Sequence, residues 1–430
     1  MTGVPATPGA ARSGHDVADM AGLAPAAADP QRAGFDPPRL SRLDDFLHRL
    51  TSSGKIPGWS MAVRRRSVLA YTSTGGCRDL AAGLPVEPGT LFRIYSMTKP
   101  VTAVAAMMLY ERGDVELSDP VARFIPSFGR MRVFTSGSDL QPVTEPARRQ
   151  ITLRHLLTHT AGLTYGFHRA HPVDALYRQA GHDIEAPPGC SLAQACETWA
   201  GLPLLFHPGT EWNYSVATDV LGRIVEIVSG QSLGDFCAAQ IFGPLGMPDT
   251  AFSVPERDLP RLAQLYRVTP SGGLTPDGEL GATVTQASRG HFGGGGLVST
   301  TADYMRFAAM LVNRGALDGV RILGPQTVGL MLGNHLPGGP DLQSFGRPMN
   351  AESPLAGVGQ GLGLSVVLDP VRAGYPSSPG EAGWGGAAST VFWADPALAL
   401  LVVFMTQVLP SAALPIRSKL HQLVHQALAD

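Results

Sequence analysis

Ile94-Tyr95-Ser96-Met97-Thr98-Lys99-Pro100 opens an apolar run, residues 101–110, that closes at Gly113. Read as a helix, the stretch places Ser96 at the start and Lys99 one turn later, and positions three apart share a face. A hydroxyl and an amine can then point into one cleft. Pro100 fits, because the first four helical N–H groups lack intrahelical partners. Gly113 suits the residue just past the C-terminus. The run between, Val-Thr-Ala-Val-Ala-Ala-Met-Met-Leu, is apolar nearly all round, which predicts a helix buried between two layers.

A serine hydroxyl is a weak nucleophile until a base takes its proton. A neutral lysine can do that, whereas arginine stays protonated. Of the 33 Lys and Arg residues only Lys55, Lys99 and Lys419 are lysine. A lysine in an apolar setting beside a serine therefore carries more information here than in a lysine-rich chain. Ser52-Ser53-Gly54-Lys55 has the same spacing but sits in a polar stretch that reads as a helix end.

The chain of 430 residues is long enough for two or three structural units. Its 44% hydrophobic and 16% charged residues indicate a globular protein of low charge density. A formal net charge of −2 argues against nucleic acid or an anionic membrane as partner. Cys77, Cys190, Cys196 and Cys237 are too few for a disulfide framework and read as reduced. Residues 1–35 begin without a basic or apolar leader pattern and read as an N-terminal arm, flexible or laid over the surface. With no long apolar stretch either, the expected location is cytoplasmic.

Residues 38–51 carry helical spacing at 40, 43, 46, 47 and 50. Strands are predicted over 59–64, 68–74 and 91–94, with Arg64-Arg65-Arg66 as a polar hairpin turn. Residues 115–289 change texture, with short helical runs such as 151–158 and 219–229 between Pro- and Gly-rich loops. Residues 268–290 and 334–358 read as long loops. A helix from 300 to 313 starts with Thr300 as N-cap. Strands follow at 361–368, 390–394 and 398–406, with Asp395-Pro396 as a turn, and the tail from 412 is helical. The expected class is α+β: an antiparallel sheet flanked by helices in an α/β body (36–114 and 290–430), interrupted by a mostly helical inserted region (115–289).

Several stretches invite a chemical reading. Gly230-Gln231-Ser232-Leu233-Gly234 matches the nucleophile-elbow pattern, which needs a strand before it; a helix precedes it, so Gly230 reads as a helix end and Ser232 as the next N-cap. His155 and His159 have the spacing of two metal ligands but lack the Glu of a metallohydrolase helix, so a structural role is preferred, as for His168 and His171. Gly293–Gly296 lacks a following Lys-Ser/Thr and reads as close backbone packing beside the site. On spacing alone, Tyr214 reads as a buried aromatic beneath its loop. Gly383-Trp384-Gly385-Gly386-Ala387 precedes a strand, and glycines there mark close approach of a ligand or backbone.

Taken together, Ser96-Met97-Thr98-Lys99, Tyr214-Ser215-Val216 and Trp384-Gly385-Gly386 resemble the serine β-lactamase and penicillin-binding protein superfamily, and within it the family VIII carboxylesterases. The stretches 151–163 and 242–247 support the match, which covers residues 38–425. The resemblance implies Ser96 as nucleophile, Lys99 and Tyr214 as the general-base system, and the Ser96 and Ala387 N–H groups as oxyanion donors. Trp384, Gly385 and Gly386 would border the substrate, and Thr98 would do no chemistry. It implies no metal or organic cofactor and a small-molecule ester as partner; oligomeric state is left open. Trp384 stands where lactamases carry the lysine of K-T-G, and Val216 where they carry an asparagine. Losing that cation and that amide favours a less polar acyl substrate. The expected function is therefore a serine carboxylesterase acting on short-chain acyl esters. Rival expectations are a β-lactamase, a D-amino-acid peptidase or amide hydrolase, an acyltransferase on the same site, a histidine metal hydrolase, or a non-catalytic binding module.

Overall fold

The structure is a computed structural model and describes residues 28–285, 290–347 and 355–430. Its centre is an eight-stranded antiparallel sheet. The strands are β1 (Gly58–Arg65), β2 (Val68–Asp79), β3 (Leu84–Pro85), β4 (Val358–Gln360), β5 (Ser365–Val367), β6 (Ala382–Gly385), β7 (Val391–Asp395) and β8 (Leu400–Met405), in spatial order β4-β5-β6-β7-β8-β1-β2-β3. The C-terminal strand β8 pairs with N-terminal β1, from Ser60 opposite Met405 to Arg65 opposite Leu400. The two ends of the chain thus build one sheet, and everything between is housed outside it.

Five helices matter most: α1 (Arg42–Ser52), α2 (Thr98–Glu111), α3 (Ala217–Ser229), α4 (Thr301–Val312) and α5 (Arg417–His425). Alternation along the strands assigns them to faces. Trp59, Met61 and Val63 of β1, with Leu400, Val402 and Phe404 of β8, pack against Leu43 and Leu47 of α1 and Leu420 and Val424 of α5. Ala62, Leu401, Val403 and Met405 point the other way, into a core shared with Phe307 of α4, Val104 of α2 and Val220 of α3. Both faces being covered explains why all eight residues of β1 and all six of β8 are buried. In α2, every residue from Thr98 to Leu109 is buried, as its all-round apolar pattern predicts.

Local signals are met where they were read. Gly113 follows the Arg112 cap with φ of 77°. Gly230 ends α3 in the left-handed conformation, and Ser232 accepts a hydrogen bond from the Asp235 N–H as N-cap, so the elbow-like motif is a helix–helix junction. The Thr300 hydroxyl accepts from the Asp303 N–H at 3.1 Å, and Asp395 Oδ1 accepts from the Ala397 and Leu398 N–H groups in the predicted turn. All four cysteines are free thiols.

Other expectations change. The turn after β1 is Arg66-Ser67, both with positive φ, while Arg64 and Arg65 are buried strand residues and Arg65 binds Asp430 at the far end of the chain. Residues 268–290 are not plain loop. Tyr266–Val268 and Leu274–Pro276 form a hairpin whose first strand pairs in parallel with Val408–Leu409, and residues 286–289 lie outside the described residues. Likewise 334–358 includes a short helix, Leu342–Phe345, and strand β4, with 348–354 outside the described residues. The strand expected over 361–368 is only Ser365–Val367. Gly363 turns the chain at φ 83° against α2, where an added Cβ would collide with Ala103. A polar hairpin, Arg132–Gly137 with Pro142–Pro146, interrupts the helical region. Of the predicted arm, residues 1–27 lie outside the described residues, whereas Ala33 and Phe35 are buried and Phe35 bridges to Leu428. Among the described residues no helix is long and apolar enough to cross a membrane.

Candidate active site

Ser96 does not sit inside α2 but in the tight turn Tyr95–Met97 just before it. Tyr95 adopts φ of 42°, an uncommon conformation for a bulky residue that marks local strain. The turn is held by its surroundings. The Tyr304 hydroxyl donates to the Met97 carbonyl at 2.8 Å, and Thr98 Oγ1 accepts from the Leu297 N–H at 3.1 Å. Thr98 is thus an anchor, in keeping with its expected lack of chemistry. Half-buried Ser96 faces the cleft.

Lys99 is 1% exposed. Its Nζ lies 3.3 Å from Ser96 Oγ, 3.0 Å from the Tyr165 hydroxyl and 2.6 Å from the Gly294 carbonyl. The ammonium position also lies over the ring of Tyr214, 4.6 Å from its centre. Gly294 is aimed by its own N–H, which donates to Asp219 Oδ1 at 2.7 Å, and Thr102 of α2 donates to the Gly293 carbonyl at 2.9 Å. A Cβ on Gly293 would meet Thr102 and one on Gly294 would meet Asp219. The glycine run therefore serves close backbone approach, as its sequence suggests.

The Tyr214 hydroxyl donates to Ser96 Oγ at 2.6 Å. The reading from spacing alone, a merely buried aromatic, is overturned: the ring is half-buried and its hydroxyl points into the cleft. Its loop is pinned on both sides. The Asn213 side chain donates to the Leu163 carbonyl, and the His168 Nε2–H donates to the Tyr214 carbonyl at 2.7 Å. His159 lies beneath, 5.1 Å from the Tyr214 ring and stacked on Trp384. Burial, reinforced by the Lys99 charge, holds the His159 pKa well below its ordinary value, so the ring is neutral. His155 accepts the Thr152 N–H in a helix cap, and His171 accepts that of Val173. The histidines weighed as ligands are structural supports.

Trp384 and Gly385 belong to β6, whose end presses against the segment leading to Ser96: a Cβ on Gly386 would collide with the Ile94 carbonyl and Thr390 Oγ1. Ala387 follows, and it lines the same cavity of about 540 Å³ as Ser96, Tyr214, Trp384, Gly385 and Gly386. Every sequence-predicted site residue except buried Lys99 thus contributes to the cavity wall, and Lys99 reaches it through Ser96. The wall is mostly apolar surface, with the aromatic rings of Tyr165, Phe167 and Trp212 beside these residues, as suits an apolar ligand.

Sequence reasoning missed Tyr165, Asp219 and Arg417 and gave His168 only an unspecified structural role. Tyr165 supplies a second hydroxyl to Lys99; burial, then the charge of Asp219, keeps its pKa well above the ordinary phenol range, so it stays protonated. Asp219 and His168 orient the two backbone pieces just described. Arg417, at the start of α5, donates to the Gly386 carbonyl at 3.0 Å and lines the cleft. The motif comparison anticipates a lost cation near Trp384, and this guanidinium stands against the neighbouring Gly385 and Gly386 backbone. Tyr165 stood two residues past Leu163 and Asp219 three past Val216, each beside a quoted motif.

A serine, a buried lysine and a phenol joined by hydrogen bonds, between an antiparallel sheet and a helical layer, define a serine hydrolase. Residues 43–426 match the model of the beta-lactamase family, and the chain belongs to that family. It is 37% identical over 372 residues to Protein Rv1367c of Mycobacterium tuberculosis, covering 85% of this chain and 89% of that one. Esterase EstB of Burkholderia gladioli is 31% identical over 401 residues, covering 89% and 94%. Among solved structures, EstCE1, described as a hydrolase with promiscuous acyltransferase activity, superposes with a TM-score of 0.74 at 26% identity, covering 91% of this chain and 99% of that one.

Proposed function

We propose that the protein is a carboxylesterase of the family VIII type, which cleaves short-chain acyl esters through an acyl-enzyme on Ser96. The observation that carries this reading is the hydrogen-bonded set of Ser96, Lys99 and Tyr214, with 2.6 Å from phenol to serine oxygen and 3.3 Å from serine oxygen to amine. The reaction requires the lysine as a free amine, with one N–H on the Gly294 carbonyl and the lone pair turned to Ser96. Ser96 Oγ attacks the ester carbonyl carbon as its proton passes to Lys99 Nζ. The Ser96 and Ala387 N–H groups receive the negative charge on the carbonyl oxygen, where one such donor contributes about 3 kcal/mol. The carbon–oxygen bond to the alcohol then breaks, with Tyr214 handing the proton to the leaving oxygen and taking one from Lys99. Water, deprotonated by the same pair, attacks the acyl carbon and restores Ser96.

The mostly apolar wall supports an acyl group without charge, in line with Trp384 and Val216 replacing the polar residues that lactamases carry. EstB, named an esterase, supports the reaction class. The direct test is incubation with a p-nitrophenyl short-chain ester, following nitrophenolate release and an acyl adduct on Ser96 by mass spectrometry. Undiminished turnover by Ser96→Ala would sink the proposal.

A second reading is acyl transfer to an alcohol instead of water. The structural likeness to EstCE1 favours including it, because an alcohol entering the vacated leaving-group position needs no change in the site. Added small alcohols would then divert product from acid to ester without changing the acylation rate. A chromogenic cephalosporin in the same panel separates both readings from β-lactam hydrolysis.

A further inference from the structure

Where the cleft wall meets the start of β6, three ionisable side chains converge that the proposed reaction leaves unused. Glu381 immediately precedes β6, Asp395 ends β7 and His425 ends α5. One ligand-type atom from each lies within 4.8 Å of the others, and among the described residues this is the one cluster of that kind. Glu381 is 3% exposed and Asp395 0%. Glu381 Oε2, Asp395 Oδ2 and His425 Nε2 are all buried, and none has a hydrogen-bond partner. Buried polar atoms are nearly always satisfied, so three orphans in one place call for an occupant.

The remaining atom of each group is already committed, which fixes what the orphans offer. Asp395 Oδ1 accepts from the Ala397 and Leu398 N–H groups. Glu381 Oε1 meets His421 Nε2 at 3.0 Å. His425 Nδ1 lies 2.9 Å from the His421 carbonyl, which can only accept, so Nδ1 carries the hydrogen. With the hydrogen on Nδ1, the neutral ring leaves Nε2 with a lone pair. With both carboxyls ionised, the two oxygens and the imidazole nitrogen are three acceptors with no donor among them. A water has two hydrogens and cannot satisfy three acceptors by donation. A divalent cation satisfies all three and offsets the buried negative charge.

We propose that Glu381, Asp395 and His425 bind a divalent transition-metal ion of the zinc type, with water completing the coordination. The donor set suits zinc, which takes carboxylate oxygen and imidazole nitrogen at about 2.0–2.1 Å. Such bonds put neighbouring ligands about 3.3 Å apart in a tetrahedron, so closure from within 4.8 Å asks for side-chain movements under about 1 Å. The Nδ1–H bond to a backbone carbonyl is the support that metal-binding histidines commonly receive. The ion would tie the start of β6 to the ends of β7 and α5. β6 carries Trp384 and Gly385, and α5 carries Arg417, which holds Gly386. Its role is therefore to brace the cleft wall, without contact to the Ser96, Lys99 and Tyr214 hydrogen bonds.

The test uses the full chain, stripped with a chelator and dialysed, then supplied with Zn²⁺, Co²⁺ or Mg²⁺ alone. One zinc retained per chain by elemental analysis, a Tm raised by Zn²⁺ but not by Mg²⁺, and binding at least about tenfold weaker in His425→Gln support the site. Should that variant not fold, X-ray absorption on the wild-type zinc form decides: a shell of one nitrogen and oxygens near 2.0 Å supports it. No zinc above trace in the wild type, equal binding by His425→Gln, or sulfur in the metal shell would overturn it. These readouts do not depend on ester turnover.

Discussion

Replacing Tyr214 by Phe removes one oxygen and little else, so its cost can be worked out from the site. The ring would keep its neighbours, His159 at 5.1 Å, Tyr165 at 5.3 Å and Trp384 at 5.8 Å between centres, and would still lie beside Lys99 Nζ. The lost contact is the 2.6 Å hydrogen bond to Ser96 Oγ. As a neutral hydrogen bond it contributes about 1 kcal/mol to stability, so the melting transition should move only slightly. As a proton carrier it should contribute about 10²–10⁴ in rate, which is about 3–5 kcal/mol of barrier. The expected result is a kcat lower by two to four orders of magnitude, with KM within a few-fold because the apolar surface is kept. Stopped-flow and steady-state kinetics on a p-nitrophenyl butyrate series would measure both, with circular-dichroism melts as the folding control. A kcat within threefold of wild type in a folded protein still acylated at Ser96 would refute the proton path.

Tyr165→Phe should lower kcat about ten- to a hundredfold by removing a 3.0 Å partner of Lys99, since hydrogen bonds to charged groups contribute about 1.5–3 kcal/mol; its pH–rate profile should shift, and an unchanged profile would show that the hydroxyl is only packing. Gly386→Ala should destabilise the fold by about 1–3 kcal/mol through overpacking, because the methyl would collide with Thr390 and Ile94; urea melts check this, and a neutral result would mean the β6 end yields easily. Acid should unfold the protein well above the carboxylate range. Burial holds His155 down to about 4, and lowers His159 and His168 also. The unfolded chain takes up these protons below about 6.5 while the folded chain does not, so stability is full above about 6.5 and falls as pH drops. His155 alone gives a slope of up to about 1.4 kcal/mol per pH unit between about 6.5 and 4. Denaturant midpoints between pH 7 and 4 measure the slope, and a flat profile would contradict the buried neutral histidines.

What could be read from the sequence was whatever short-range covalent geometry dictates. Ser96 and Lys99 are three residues apart, and helical rise alone places them together. The all-round apolar pattern of α2, the glycine ends at Gly113 and Gly230, and the Thr300 cap needed no distant partner. Strands buried on both faces, such as β1 and β8, were visible as apolar runs. Short or polar strands were not: β4 has three residues, and Arg132–Gly137 is mostly exposed, so neither shows a clear alternation to read.

The rest of the site depends on contacts that no local rule encodes. Tyr214 meets Ser96 across 118 positions of chain, Tyr165 meets Lys99 across 66, and the Gly294 carbonyl meets Lys99 across 195. Motif resemblance supplied Tyr214 and its role beside Ser96, but not that Tyr165 would join it. Glu381, Asp395 and His425 are unremarkable in the sequence and become a cluster only when β6, β7 and α5 pack. The sequence alone determined the nucleophile and its neighbouring amine, because a helix turn is a property of adjacent residues. Packing of the helical layer against the sheet decided which hydroxyl, carbonyl and carboxylate surround them, because those distances arise only when remote segments exclude water together.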